Sequence, residues 1–159
     1  MPSAHPSRRL WITLILLTLS LTPRLSMAEE TERVAVLDLK NSAGVRASEV
    51  SYLTQVLRQA ANLLPTEHYL VMTKENMTSL LPEGTTLSSC VGECEVEVGR
   101  KLGADYLITG EVGVISGQLQ LLLRLYETRG GSLKGQATLN ALGVGALQPK
   151  VRRAAVELL

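Results

Sequence analysis

Between Gln118 and Leu125 leucine falls at every second position: Leu119, Leu121, Leu123 and Leu125 alternate with Gln118, Gln120, Leu122 and Arg124. A period of two puts all four leucines on one side of an extended chain, so this stretch is a strand with one fully apolar face. Turns flank it. Ser116-Gly117 precedes it and Arg129-Gly130-Gly131-Ser132 follows it. These predict two hairpins, joining the leucine strand to one running from Ala104 through Val112 to Ile115 and to another from Leu133 to Leu142. Hairpins require antiparallel pairing.

The first half of the chain has a different rhythm. Arg33 to Leu39 is a nearly continuous apolar run, the pattern of a strand covered on both faces. From Ser48 to Leu64, Val50, Leu53, Leu57, Ala60, Ala61 and Leu64 recur at helical spacing. Ser48 is the expected N-cap and Pro65 the stop. His68 to Thr73 reads as a second strand. Thr73 then caps a short helix presenting Met77, Leu80 and Leu81, ended by Pro82. Cys94, Val98 and Leu102 mark the apolar line of a further helix, with Gly103 as its C-terminal glycine. A last amphipathic helix runs from Gln148 to Leu159 through Val151, Ala154, Ala155 and Leu158. The predicted order is β-α-β-α-α-β-β-β-α. Its β-α-β start demands a right-handed crossover between parallel strands. The expected class is α/β (α+β), a mixed five-stranded sheet with packed helices. With no Phe in the chain, the core must come from Leu, Val, Ile and Ala.

The first 28 residues read as an export leader. Arg8 and Arg9 precede an apolar stretch from Leu10 to Leu21, and Ser26-Met27-Ala28 supplies small residues for cleavage. The stretch is twelve residues long, against about 20 for a membrane helix. An uncleaved anchor is the alternative. Cleavage after Ala28 leaves residues 29–159 as a single domain, periplasmic, with outer-membrane association left open. No cysteine near the cleavage site offers a lipid anchor. Loss of Arg8, Arg9 and Arg24 leaves 13 basic against 15 acidic residues, a net of −2. That balance gives no basic surface for nucleic acid.

Cys90 and Cys94 lie four residues apart. In an oxidising compartment so close a pair predicts a disulfide; two buried free thiols are the alternative. Helical Cβ atoms four apart are about 5–6 Å apart, and a disulfide needs roughly 3.8 Å. Cys90 is therefore expected outside the helix that holds Cys94. The mature chain's single histidine, His68, leaves a metal site short of ligands.

Glu97-Val-Gly-Arg-Lys-Leu-Gly-Ala-Asp-Tyr-Leu-Ile-Thr-Gly-Glu-Val112 resembles the helix-to-strand segment of the TolB amino-terminal domain and of the related CsgG and LpoB envelope proteins. The motif residues are Gly103, Ala104, Asp105, Tyr106, Gly110 and Glu111. The opening strand Val34 to Leu39, the strand ending in Arg124-Leu-Tyr-Glu-Thr128, and Gly130-Gly131 with Leu133-Lys-Gly135 agree with it. The resemblance implies an anticodon-binding-domain-like α/β fold, used as a docking or assembly module in the bacterial envelope, without catalysis or cofactor. Departures limit what carries over. There is no room for the TolB propeller, no lipoprotein cysteine and no pair of long lipid-facing strands.

No nucleophile elbow, phosphate-binding glycine loop or His-Glu-x-x-His helix is written in the chain. Asp38, at the end of the first strand, and Glu111, within the third, are expected near one sheet edge. As a pair they could do acid–base work, but solvated or capping carboxylates are the commoner outcome. Three functions follow in order: a protein-docking module acting through a sheet edge or the Glu83–Cys94 loop, with another envelope protein as its partner; a small-ligand sensor with its pocket between the cysteine loop and the strand ends; and a hydrolase using Asp38 or Glu111. The oligomeric state is left open.

Overall fold

The computed structural model describes residues 31–82 and 93–158. The leader and Cys90 lie outside these residues. The strands are β1 (Glu32–Val36), β2 (Lys40–Asn41), β3 (Tyr69–Val71), β4 (Tyr106–Ile115), β5 (Gln118–Glu127) and β6 (Ser132–Ala141). The helices are α1 (Ala47–Ala61), α2 (Lys74–Leu80), α3 (Glu93–Leu102) and α4 (Val144–Leu158). Strands lie in the order β3-β1-β4-β5-β6, with β2 also paired to β4. β1 is parallel to β3 and β4, while β4, β5 and β6 form an antiparallel meander. The mixed α/β sheet expected from the two sequence rhythms is therefore the observed one.

The alternating leucines fix which face is buried. Leu121, Leu123 and Leu125 join Val34, Val36, Ile108 and Val112 beneath α1 and α4, which contribute Leu53, Leu57, Leu147 and Val151. Alternate positions point to the opposite face. There Ala35, Leu37 and Leu107 meet Met77 of α2 and Val98 and Leu102 of α3. This second layer covers the β1 side of the sheet, and toward β6 the face carries exposed Gln136, Thr138 and Asn140.

The sheet has a sixth, two-residue strand beyond the expected five. The Leu37 N–H still donates to Ile108 O at 3.0 Å; the chain then leaves the ladder, and the Leu39 N–H donates instead to Thr54 Oγ1 of α1 at 3.2 Å. It returns at Lys40, opposite Glu111. Two helix starts also differ from expectation. Ser48 does not cap α1: Arg46 is the N-cap residue, and Glu49 reaches back to accept its N–H at 3.2 Å. α4 begins at Val144, four residues before Gln148, and carries Pro149 within it. Pro149 is the sixth residue of the helix, past the first turn, so its missing N–H forfeits the bond to the Gly145 carbonyl. α1 ends at Ala61, not Leu64; the next residues tighten into bonds from Leu63 N–H to Ala60 O and Leu64 N–H to Ala61 O. Thr73 caps α2 as expected, accepting from the Asn76 N–H at 3.2 Å.

Candidate docking surface

A sheet of this order has two rims, and they are unequal. β3 closes one rim with three residues, whereas β6 closes the other with ten. β6 pairs with β5 from Leu119↔Ala141 to Glu127↔Ser132, and among the described residues no strand pairs with its outer side. An unpaired edge presents a row of N–H and C=O groups to any extended chain that can reach them. Two features modify this edge. A register shift between Leu125 and Tyr126 skips Lys134, since Leu125 faces Gly135 and Tyr126 faces Leu133. At the other end Lys150 of α4 reaches across and donates from Nζ to the Asn140 carbonyl at 2.6 Å. Between these lysines, Gly135 to Asn140 is regular strand without a charge or a proline.

The six motif residues build the frame behind that rim. Gly103 ends α3 at φ +65°, with its N–H bonded to Arg100 O and the Ala104 N–H to Gly99 O. These two bonds make a complete Schellman turn, which only a residue tolerant of positive φ can close. Ala104 is buried at the turn's exit. Asp105 then ties β4 to β1: its N–H donates to Arg33 O at 2.8 Å and its Oδ2 accepts from Arg33 N at 2.9 Å. Tyr106 stacks edge-on with Tyr69, ring centroids 6.3 Å apart. Gly110 is the close-approach position, because a Cβ there would stand 2.7 Å from Leu39 Cδ2 and 2.8 Å from Leu123 Cδ2. Gly113 has open space around it, and the β4–β5 register runs unbroken through both glycines. Glu111 accepts a short hydrogen bond from Ser42 Oγ.

Asp38 and Glu111 do not converge. Asp38 accepts from Arg58 at 2.7 Å and Lys74 at 3.1 Å, in a hollow of about 310 Å³ that also holds Asn41, Ser51 and Thr54. Glu111 lines a different hollow with Gly113, Ile115 and Leu122. Burial works to raise the Asp38 carboxyl, but the hydrogen bonds and charges of Arg58 and Lys74 outweigh it and hold the pKa below the usual value. A carboxylate so held is a poor proton carrier near neutral pH. No group of three or more His, Cys, Asp or Glu able to hold a metal occurs among the described residues.

One polar cluster escaped the sequence reading. Glu95 of α3 is buried against β5, 3.9 Å from the Arg124 guanidinium. Tyr126 lies beside it; burial first, then the Glu95 charge, pushes its phenol above the usual value. Glu95 is buried with Val98, Gly99 and Leu102 on the face of α3 that docks on the sheet, whereas Cys94, which the sequence placed on that apolar line, is exposed: the line starts one residue later, at a carboxylate that no apolar pattern could signal. The hollow nearest the cysteine helix, about 500 Å³, is lined by Glu93, Cys94, Val96, Glu97, Arg100, Gly130 and Gly131. Three of its seven lining residues are charged, whereas small-molecule pockets are mostly apolar. Cys94 is the second residue of α3; its proposed partner Cys90 lies outside the described residues.

No protein-family model and no curated protein matches the chain. Solved structures do. The LpoB C-terminal domain from Salmonella enterica aligns at a TM-score of 0.54 and 16% identity, covering 81% of this chain and 94% of that one. Lipoprotein GNA1162 from Neisseria meningitidis aligns at 0.51 and 13% identity, covering 79% and 99%. TolB from Acinetobacter baumannii is a looser likeness, at 0.47 and 14% identity over 80% of this chain and 26% of that one. The chain thus has an LpoB-like fold, the one to which the Glu97–Val112 segment pointed.

Proposed function

We propose that this chain is a non-enzymatic docking module of the bacterial cell envelope, exported with cleavage after Ala28 and working in the periplasm, where a partner protein pairs with the outer edge of β6. The observation that carries the reading is the ten-residue rim strand with no strand beyond it among the described residues. Main-chain bonds along such an edge give affinity, and alternate side chains give selectivity. The LpoB-like fold and the lipoprotein among its neighbours support an envelope setting. Among the described residues no helix is long and apolar enough to cross a membrane. The Cys90–Cys94 bridge belongs to the same proposal, since an oxidising compartment would form it; two free thiols in the exported protein would refute it.

Proline substitution tests the docking edge. Alternate residues of an edge strand turn their N–H away from the sheet, so of Ala137→Pro and Thr138→Pro one leaves the β5 ladder whole. The variant that keeps its melting temperature is the informative one. The native protein is expected to retain a partner from an envelope extract, and that variant to release it. Equal retention by both, or retention by neither, contradicts the reading.

A further inference from the structure

The β6 rim differs from a generic open edge in where its charges stand. Ser132 to Ala141 contains no carboxylate, and its one charged side chain, Lys134, sits at the register shift. At the opposite end the Lys150 ammonium is held on the Asn140 carbonyl at 2.6 Å. α4 runs along this rim, Lys150 near Asn140 and Leu158 against Gly135, where an added Cβ would stand 3.0 Å from Leu158 Cδ2. Each end of the uncharged stretch from Gly135 to Asn140 is therefore marked by an ammonium group.

We infer that the rim accepts an extended segment whose strand-forming centre is flanked by carboxylates, an inference that rests on the docking reading above. The charges select in two directions. A second copy of β6, laid antiparallel and centred near Ala137, would bring its Lys134 opposite Asn140 and Lys150, placing like charges together at both ends. Like charges facing each other across strands are destabilising, and a lysine at a sheet edge commonly blocks pairing between copies. A segment with Asp or Glu at those two places meets the lysines with opposite charge. The same two side chains thus refuse one class of strand and admit another. Lys134 and Asn140 are six positions apart along the strand, about 20 Å at 3.3 Å per residue, so the flanking carboxylates of the incoming segment must lie about five to seven positions apart.

Two fluorescein-labelled peptides test this on the full chain: Thr-Val-Thr-Val-Thr flanked on both sides by Glu-Glu, and the same core flanked by Lys-Lys. The Glu-flanked peptide is expected to bind about tenfold more tightly, the size two favourable rim pairs can supply, and to slow amide exchange across Gly135–Asn140. Lys134→Glu with Lys150→Glu should reverse the preference. If that variant fails to fold, salt on the native protein serves instead: 0.5 M NaCl should weaken the Glu-flanked peptide and narrow the gap. Equal binding of both peptides with β6 exchange slowed would overturn the carboxylate requirement and leave edge docking standing. Slowed exchange from neither peptide would count against the edge itself, and against this inference with it.

Discussion

Gly110 shows how a single residue carries the junction between the two halves of the fold. Its missing side chain lets Leu39 and Leu123 close over β4, and a Cβ would also stand 2.9 Å from the Leu122 carbonyl. Backbone cannot yield as a flexible side chain can, so Gly110→Ala is expected to cost about 1–3 kcal/mol, the usual penalty for overpacking; denaturant unfolding measures it, and an unchanged midpoint would contradict the assignment. A glycine inside a strand marks either a close backbone approach or a bulge, and Gly110 is the former. The bulge lies instead on β6 at Lys134, beside Gly135. Gly103 was fully readable, because a glycine after a helical line and before an apolar run has few other uses.

At the scale of elements, what repeats locally was legible and what depends on distant residues was not. The period-two leucines and the two hairpin turns gave β4, β5 and β6 almost to the residue. The short β2 went unseen because what surrounds it is non-local: Leu39 before it bonds to Thr54, fifteen residues on, and its own partners are Glu111 and Val112. The start of α1 was misplaced for a related reason: arginine has no acceptor to signal a cap, and the capping group is the Glu49 carboxylate three residues later. Asp38 ties three elements together through Arg58 of α1 and Lys74 of α2, partners 20 and 36 residues away. Its folded pKa lies below its unfolded value, so ionised Asp38 contributes stability that is complete above about pH 4 and is lost as pH falls through the lower folded value. Asp38→Asn should cost about 1–3 kcal/mol at pH 7 and flatten the loss of stability on acidification. A variant as stable as the native chain at pH 7, with the same acid profile, would show the triad contributes nothing.

The whole molecule is asymmetric across its sheet. One side is closed by a three-residue strand, and the other ends in ten residues of rim backed by α4 and marked at both ends by lysine. The motif that made the fold recognisable sits in the interior and at the helix-to-strand turn, where it holds β1, α3 and β4 in register. The surface proposed for docking is elsewhere, on a strand whose sequence carries only hairpin and edge signals. Residues that identify the fold and residues proposed to meet a partner are thus different sets. This is why the resemblance could forecast the architecture and leave the partner unnamed. The claim that β6 is the working surface is tested most directly by a photo-crosslinking residue placed in intact cells at position 138, and in parallel at exposed Tyr52 on α1. An adduct with one defined envelope protein from position 138, and none from position 52, is the predicted result; adducts from position 52 with none from position 138 would contradict it.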